Sequence, residues 1–141
     1  MIATLLFPLL VQTAQPPVPE WNCADPQFQQ EMNWCAGQEF EAADAALNAQ
    51  WAITAEVMKA RDAQWAEFGS SDRRPGFFKS LLEAQRGWLR YREAQCRVDG
   101  YTARMGSLEP LLATTCKTRL TRLRTEELKG LIEDAGEAQI R

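Results

Sequence analysis

Apolar residues recur at spacings of three and four along most of this chain. From Met32 the series runs through Cys35 or Ala36, Phe40, Ala43, Leu47, Trp51, Thr54 and Met58. That spacing keeps one face of an α-helix apolar. Asp25 followed by Pro26 predicts the helix start, with Asp as N-cap and Pro in the first helical position. No further Pro occurs before position 68, and the single Gly, Gly37, is the expected break between a short first piece and a long second one. Residues 69–76 (GSSDRRPG) predict a loop. A second helix is expected from about Phe77 to Tyr101, with Phe78, Leu81, Leu82, Gln85, Trp88, Leu89, Arg92 and Cys96 on one face. Met105-Gly106-Ser107 ends it. Ser107 is the expected cap of a third helix that tolerates Pro110 in its first turn. That helix carries Leu111, Leu112, Cys116, Leu120 and Leu123, is expected to bend near Thr121, and continues through Leu128, Leu131 and Ile132 before a frayed tail at 135–141. No segment alternates as a strand does. The pattern predicts an all-α fold, an antiparallel bundle of three to four helices.

Ahead of this bundle lie two segments of another kind. Residues 1–11 (MIATLLFPLLV) are an apolar run, too short to span a bilayer. With Ala14 as the expected cleavage point, 1–14 reads as a signal-peptide-like leader, although no Lys or Arg precedes the run. Residues 15–22 begin QPPVP, a Pro-rich spacer. Glu20, Trp21 and Asn22 before Cys23 do not form the small-residue box of a lipoprotein. The expected product is a periplasmic or secreted protein with its domain at 23–134 and no stable membrane insertion after processing.

Cysteine usage agrees with an exported chain. There are four cysteines and no histidine among 141 residues. An even count in a small exported domain points to a pair of disulfides that staple the helices. Zinc is disfavoured, because no two cysteines lie two to four residues apart and no imidazole is present. A turn centred on Gly106 would place Cys96 and Cys116 level on adjacent helices, closing a loop worth about 3 kcal/mol. Cys23 would then bond Cys35, provided the segment between them folds back near Gly37 or forms a separate short helix. A straight helix from Pro26 favours Cys23 with Cys116 and Cys35 with Cys96 instead. The sequence leaves both sets open.

Charge is placed unevenly. Residues 1–57 carry no Lys or Arg, and from Lys59 onward the chain is net basic. Packing of an acidic helix beside basic ones accounts for this, and so would an acidic face for a basic protein partner. The net charge of −3 and the lack of a Gly-rich or aromatic RNA-binding motif argue against a nucleic-acid role. Nothing points to catalysis, to a cofactor or to a metal. The usual base for a Ser or Cys nucleophile is missing, and the carboxylate pairs Glu39 with Asp44 and Glu126 with Glu127 sit on highly charged helices. The polar residues on the apolar faces are a structural group. Either Arg92 pairs with Asp44 across a helix interface, with Gln85 and Asn48 completing the hydrogen bonds, since a buried charge needs a partner, or each of these side chains reaches solvent at a helix edge.

Several blocks together resemble a known family. These are Cys23 with Glu31-Met32-Asn33-Trp34-Cys35, then Ala43-Asp44-Ala45-Ala46-Leu47-Asn48. The longest is Gln85-Arg86-Gly87-Trp88-Leu89-Arg90-Tyr91-Arg92 with Cys96, and Cys116 with Leu120-Thr121 and Arg124-Thr125-Glu126-Glu127-Leu128 follows. In this order they are similar to the LprI-like lysozyme inhibitor family over about 23–131. Trp51 stands where the family usually has Tyr, and Met105 replaces the first Gly of a Gly-Gly-Ser turn. The resemblance implies a helical, disulfide-bonded, exported bacterial protein that is not an enzyme. It also implies lysozyme as the candidate protein partner, bound so that its active site is occluded. Contacts are then expected among Glu31, Glu39, Glu41 and the loop 70–74. The alternative is a helical interaction module of the periplasm without lysozyme activity.

Overall fold

In the computed structural model, residues 21–69 and 71–138 are described, the side chains only as far as 133. The leader 1–14, most of the spacer, Ser70 and residues 139–141 lie outside them. Three helices follow in order: α1 (Gln29–Glu67), α2 (Phe77–Gly100) and α3 (Glu109–Ala138), with a short 3-10 turn (Tyr101–Ala103) after α2. The fold is all-α, an up-down-up bundle with two disulfides, and there is no strand among the described residues. One end gathers the start of α1, the end of α2 and the start of α3. The other holds the reverse termini.

The first helix differs from the expectation at both its start and its middle. It begins at Gln29, because residues 21–28 form a strap folded back along it. The Asn22 side chain accepts from Ala24 N–H at 3.1 Å, which turns the strap. Glu31 then takes Asn22 N–H and Gln27 N–H on its two carboxylate oxygens, each at 2.7 Å. It stands three residues after Phe28, where a capping-box acid reaches back. Trp21 packs edge-on against Trp34, with ring centroids 6.0 Å apart. The chain therefore reverses before the helix and not at Gly37, through which α1 runs unbroken for 39 residues. This reversal allows Cys23 to bond Cys35 with a straight helix in place, and Cys96 bonds Cys116.

The core divides in two along the bundle axis. Leu47, Met58, Leu81 and Leu128 form an aliphatic cluster with Trp51 and Phe78 against it. Cys96, Cys116 and Leu120 form a second, and Trp88 packs on both. Each fully buried aliphatic side chain contributes about 1.5–3 kcal/mol. Leu89, Leu123 and Leu131, expected on the apolar faces, are exposed instead. The third helix places Thr118, Thr121 and Thr125 inside. Thr118 and Thr125 donate to the carbonyl four residues back, at 3.1 and 3.0 Å, so a buried hydroxyl does not stay unpaired. No break occurs at Thr121.

The turn between α2 and α3 depends on Gly100. A Cβ there would come within 3.1 Å of both Ala113 Cβ and the Glu109 carbonyl oxygen. The left-handed residue of the connection is Met105 (φ 67°), one before the expected Gly106. Ser107 is not the helix cap. Its carbonyl accepts from Asn33 Nδ2 at 3.4 Å, and Glu109 reaches back to Met105 N–H at 2.6 Å.

Candidate functional site

A polar seam crosses the middle of the bundle. Arg92, only 7% exposed, projects from α2 between α1 and α3. Its Nη1 donates to Asp44 Oδ1 at 2.9 Å and to Thr121 Oγ1 at 3.0 Å, while Nε donates to Glu93 at 3.3 Å. The guanidinium also lies over the Phe40 and Trp88 rings, 5.1 Å from each centroid. These rings take the faces of the cation as the carboxylates take its edges. Asn48 donates to the other Asp44 oxygen at 3.3 Å. Gln85 is not part of this group. It lies two helical turns away and accepts from Arg124 Nε at 2.9 Å. Seven residues along α2 separate it from Arg92, about 10 Å of rise, so it meets a different cation on α3.

Thr121, Glu93, Lys117 and the two rings were not expected in the seam. Glu93 adjoins Arg92 in sequence, and Lys117 reaches it from α3 at 2.6 Å. The hydrogen bond from Lys117 lowers the Glu93 pKa, with Arg92 adding to the effect. A threonine every three or four residues among the leucines of α3 was the available signal for Thr121.

The three acidic residues named for a partner do not form one patch. Glu31 is committed to the strap, and its backbone donors Gln27 and Asn22 lower its pKa. Glu39 faces α3 and meets Arg122 at 3.2 Å. Glu41 is exposed. Helical geometry sets Glu39 and Glu41 about 200° apart around α1. In the loop, Arg74 binds Asp72 at 2.7 Å, and this ion pair holds the Asp72 pKa down at about 2.

Among the clefts between the helices, two stand at opposite ends of the bundle. One, of about 500 Å³, lies beside the Cys23–Cys35 bond and is lined by Met32, Glu39, Leu111, Arg119, Arg122 and Leu123, among others. The larger, about 910 Å³, occupies the opposite end, between the last turns of α1 and the first of α2. Its wall is fixed by Asp62. That carboxylate accepts Phe77 N–H at 2.6 Å and Phe78 N–H at 3.0 Å, so a side chain of α1 caps α2. A Cβ at Gly76 would collide with the same carboxylate. All four cysteines are paired, and no group of three or more His, Cys, Asp and Glu among the described residues is placed to hold a metal. No helix among the described residues is long and apolar enough to cross a membrane.

Comparison with known proteins gives two matches. The family model for lysozyme inhibitor LprI matches residues 22–128. An uncharacterized protein of Rhizobium meliloti (strain 1021) is 40% identical over 117 residues, covering 83% of this chain and 83% of the relative. No solved structure matches.

Proposed function

We propose, from the premise that the chain belongs to the LprI lysozyme inhibitor family, that it is an exported envelope protein that binds lysozyme and occludes its active site. It carries out no chemistry of its own. The family match carries this reading, and the match spans the strap, both disulfides and the polar seam. The apolar leader and the cysteine usage support a periplasmic or secreted location. The contact surface includes Glu41, exposed on α1, which meets a basic enzyme at complementary charge.

A lysis assay with a purified basic lysozyme tests the reading. Micromolar protein is expected to slow lysis. The charge reversal Glu41→Lys is expected to weaken inhibition severalfold at low salt and less at moderate salt, since rim charges are screened. No slowing of lysis by the folded protein removes this function and leaves an envelope interaction module.

A further inference from the structure

The larger cleft has the makeup of a small-molecule site. At about 910 Å³ it is of the size that holds drug-sized ligands. Met58, Trp65, Pro75, Phe77, Leu81 and Leu131 make it mostly apolar. Three arginines and two aspartates also line it, and Glu127, outside the lining, meets Arg124 at 2.8 Å.

The aspartates are both engaged. Asp62 caps α2 through both of its oxygens, and Asp72 binds Arg74. Arg61 is different. No carboxylate among the described residues lies within ion-pairing distance of it. Its Nη2 donates to the Leu131 carbonyl at 3.1 Å, and its Nη1 has only the Met58 sulfur, at 3.5 Å. A thioether is a weak acceptor, so a carboxylate oxygen would displace it readily. In the floor, Arg124 has a buried Nη2 without a hydrogen-bond partner among the described residues. That nitrogen is sealed from solvent, and Glu127 meets the same guanidinium at 2.8 Å, so the cation left to a ligand is Arg61. A mostly apolar cleft with one cation at its wall that no carboxylate pairs with favours an anion that carries hydrocarbon.

We infer that this cleft binds a single-chain amphiphile with one carboxylate, of the fatty-acid class. The hydrocarbon lies along Trp65, Phe77 and Leu81, and the carboxylate pairs with Arg61. The inference does not rest on lysozyme binding.

The test uses laurate, dodecanol and dodecyltrimethylammonium, each below its aggregation limit, with the full folded protein. Titration calorimetry and Trp fluorescence read the affinity. Laurate is expected to bind one to one, at least tenfold more tightly than dodecanol, and the cation more weakly still. Arg61→Gln is expected to bring laurate down to the dodecanol level without changing dodecanol. Arg61→Lys keeps the preference for the anion. Ala84→Trp, at an exposed lining position, fills the cleft and abolishes binding of both. In the unaltered protein, laurate is expected to shift the NMR signals of Met58, Trp65, Phe77 and Leu81, a readout that does not depend on any variant folding. Absence of saturable laurate binding, equal affinity for the three amphiphiles, or shifts elsewhere overturn the inference. So does an Arg61→Gln protein, folded by circular dichroism, that still prefers laurate.

Discussion

The two ends of this bundle are held by different means. At one end both disulfides gather, one joining the strap to the second turn of α1 and the other the last turns of α2 to the first turns of α3, and Cys96 is fully buried. At the other end no covalent link joins the described residues. There Asp62 caps α2 across the interface, Thr54 donates to the Leu128 carbonyl at 3.1 Å, and the larger cleft remains open. The arginine seam lies between them. Covalent closure lets the first end carry little apolar volume. The second end depends on side-chain packing and keeps the larger of the two clefts.

The largest effect is expected from cutting the buried staple. Replacing Cys96 and Cys116 by Ser together should lower the unfolding free energy by about 3 kcal/mol, measured by urea denaturation. Replacing Cys23 and Cys35 should cost less, because Cys23 is exposed and the bond ties down only the strap. Equal losses would mean that the strap is as integral as the hairpin, and the contrast between the ends would fail.

Arg92→Met comes next. It leaves Asp44 and Thr121 without their partner, and a loss of about 1–3 kcal/mol is expected. Asp44 is half-exposed and can be rehydrated, which keeps the cost below that of a fully buried pair. An unchanged melting temperature would show that the seam does not specify the packing. Asp62→Ala, at the open end, should cost about 1 kcal/mol as the loss of a helix cap does. Its hydrogen-exchange signature should be confined to the first turn of α2. Protection lost throughout the bundle would show that the ends are not separable.

The smallest effect is on pH dependence. The folded-state pKa values of Glu93 and Glu31 are both lowered. Their stabilisation is therefore fully present above the ordinary Glu value of about 4.3 and is lost as pH falls through the lower folded values. Lys117→Met removes the main cause for Glu93. It should flatten the acid side of the stability profile by a few tenths of a kcal/mol, given how exposed that carboxylate is. A profile unchanged below pH 4 would mean that the pair contributes nothing.

Much of the fold was legible from periodicity. The apolar series from Met32 to Met58 lies inside the bundle, and the loop at 69–76 separates α1 from α2. What escaped was set by contacts distant in sequence. Asp25-Pro26 has the local form of a helix start, but Glu31 draws the preceding backbone into a strap and moves the start to Gln29. Gly37 costs a helix little when long flanking segments are packed. The partner of Gln85 came from α3, which no single-helix pattern displays. Sequence position placed Glu39 and Glu41 near each other, but the helix separates them. The cleft was not legible at all. It arises where three termini fail to fill the space between them, and its residues come from 58–84 and from Arg124 and Leu131.

The connectivity has a consequence for biogenesis. Each cysteine is bonded to its immediate neighbour in sequence, at separations of 12 and 20 residues. Neither bond encloses or crosses the other. If the chain is exported as proposed and enters an oxidising compartment from its N-terminus, it can seal its first pair before the second has emerged. In that case pairing in order of arrival yields the native set, with no mismatched bond to undo.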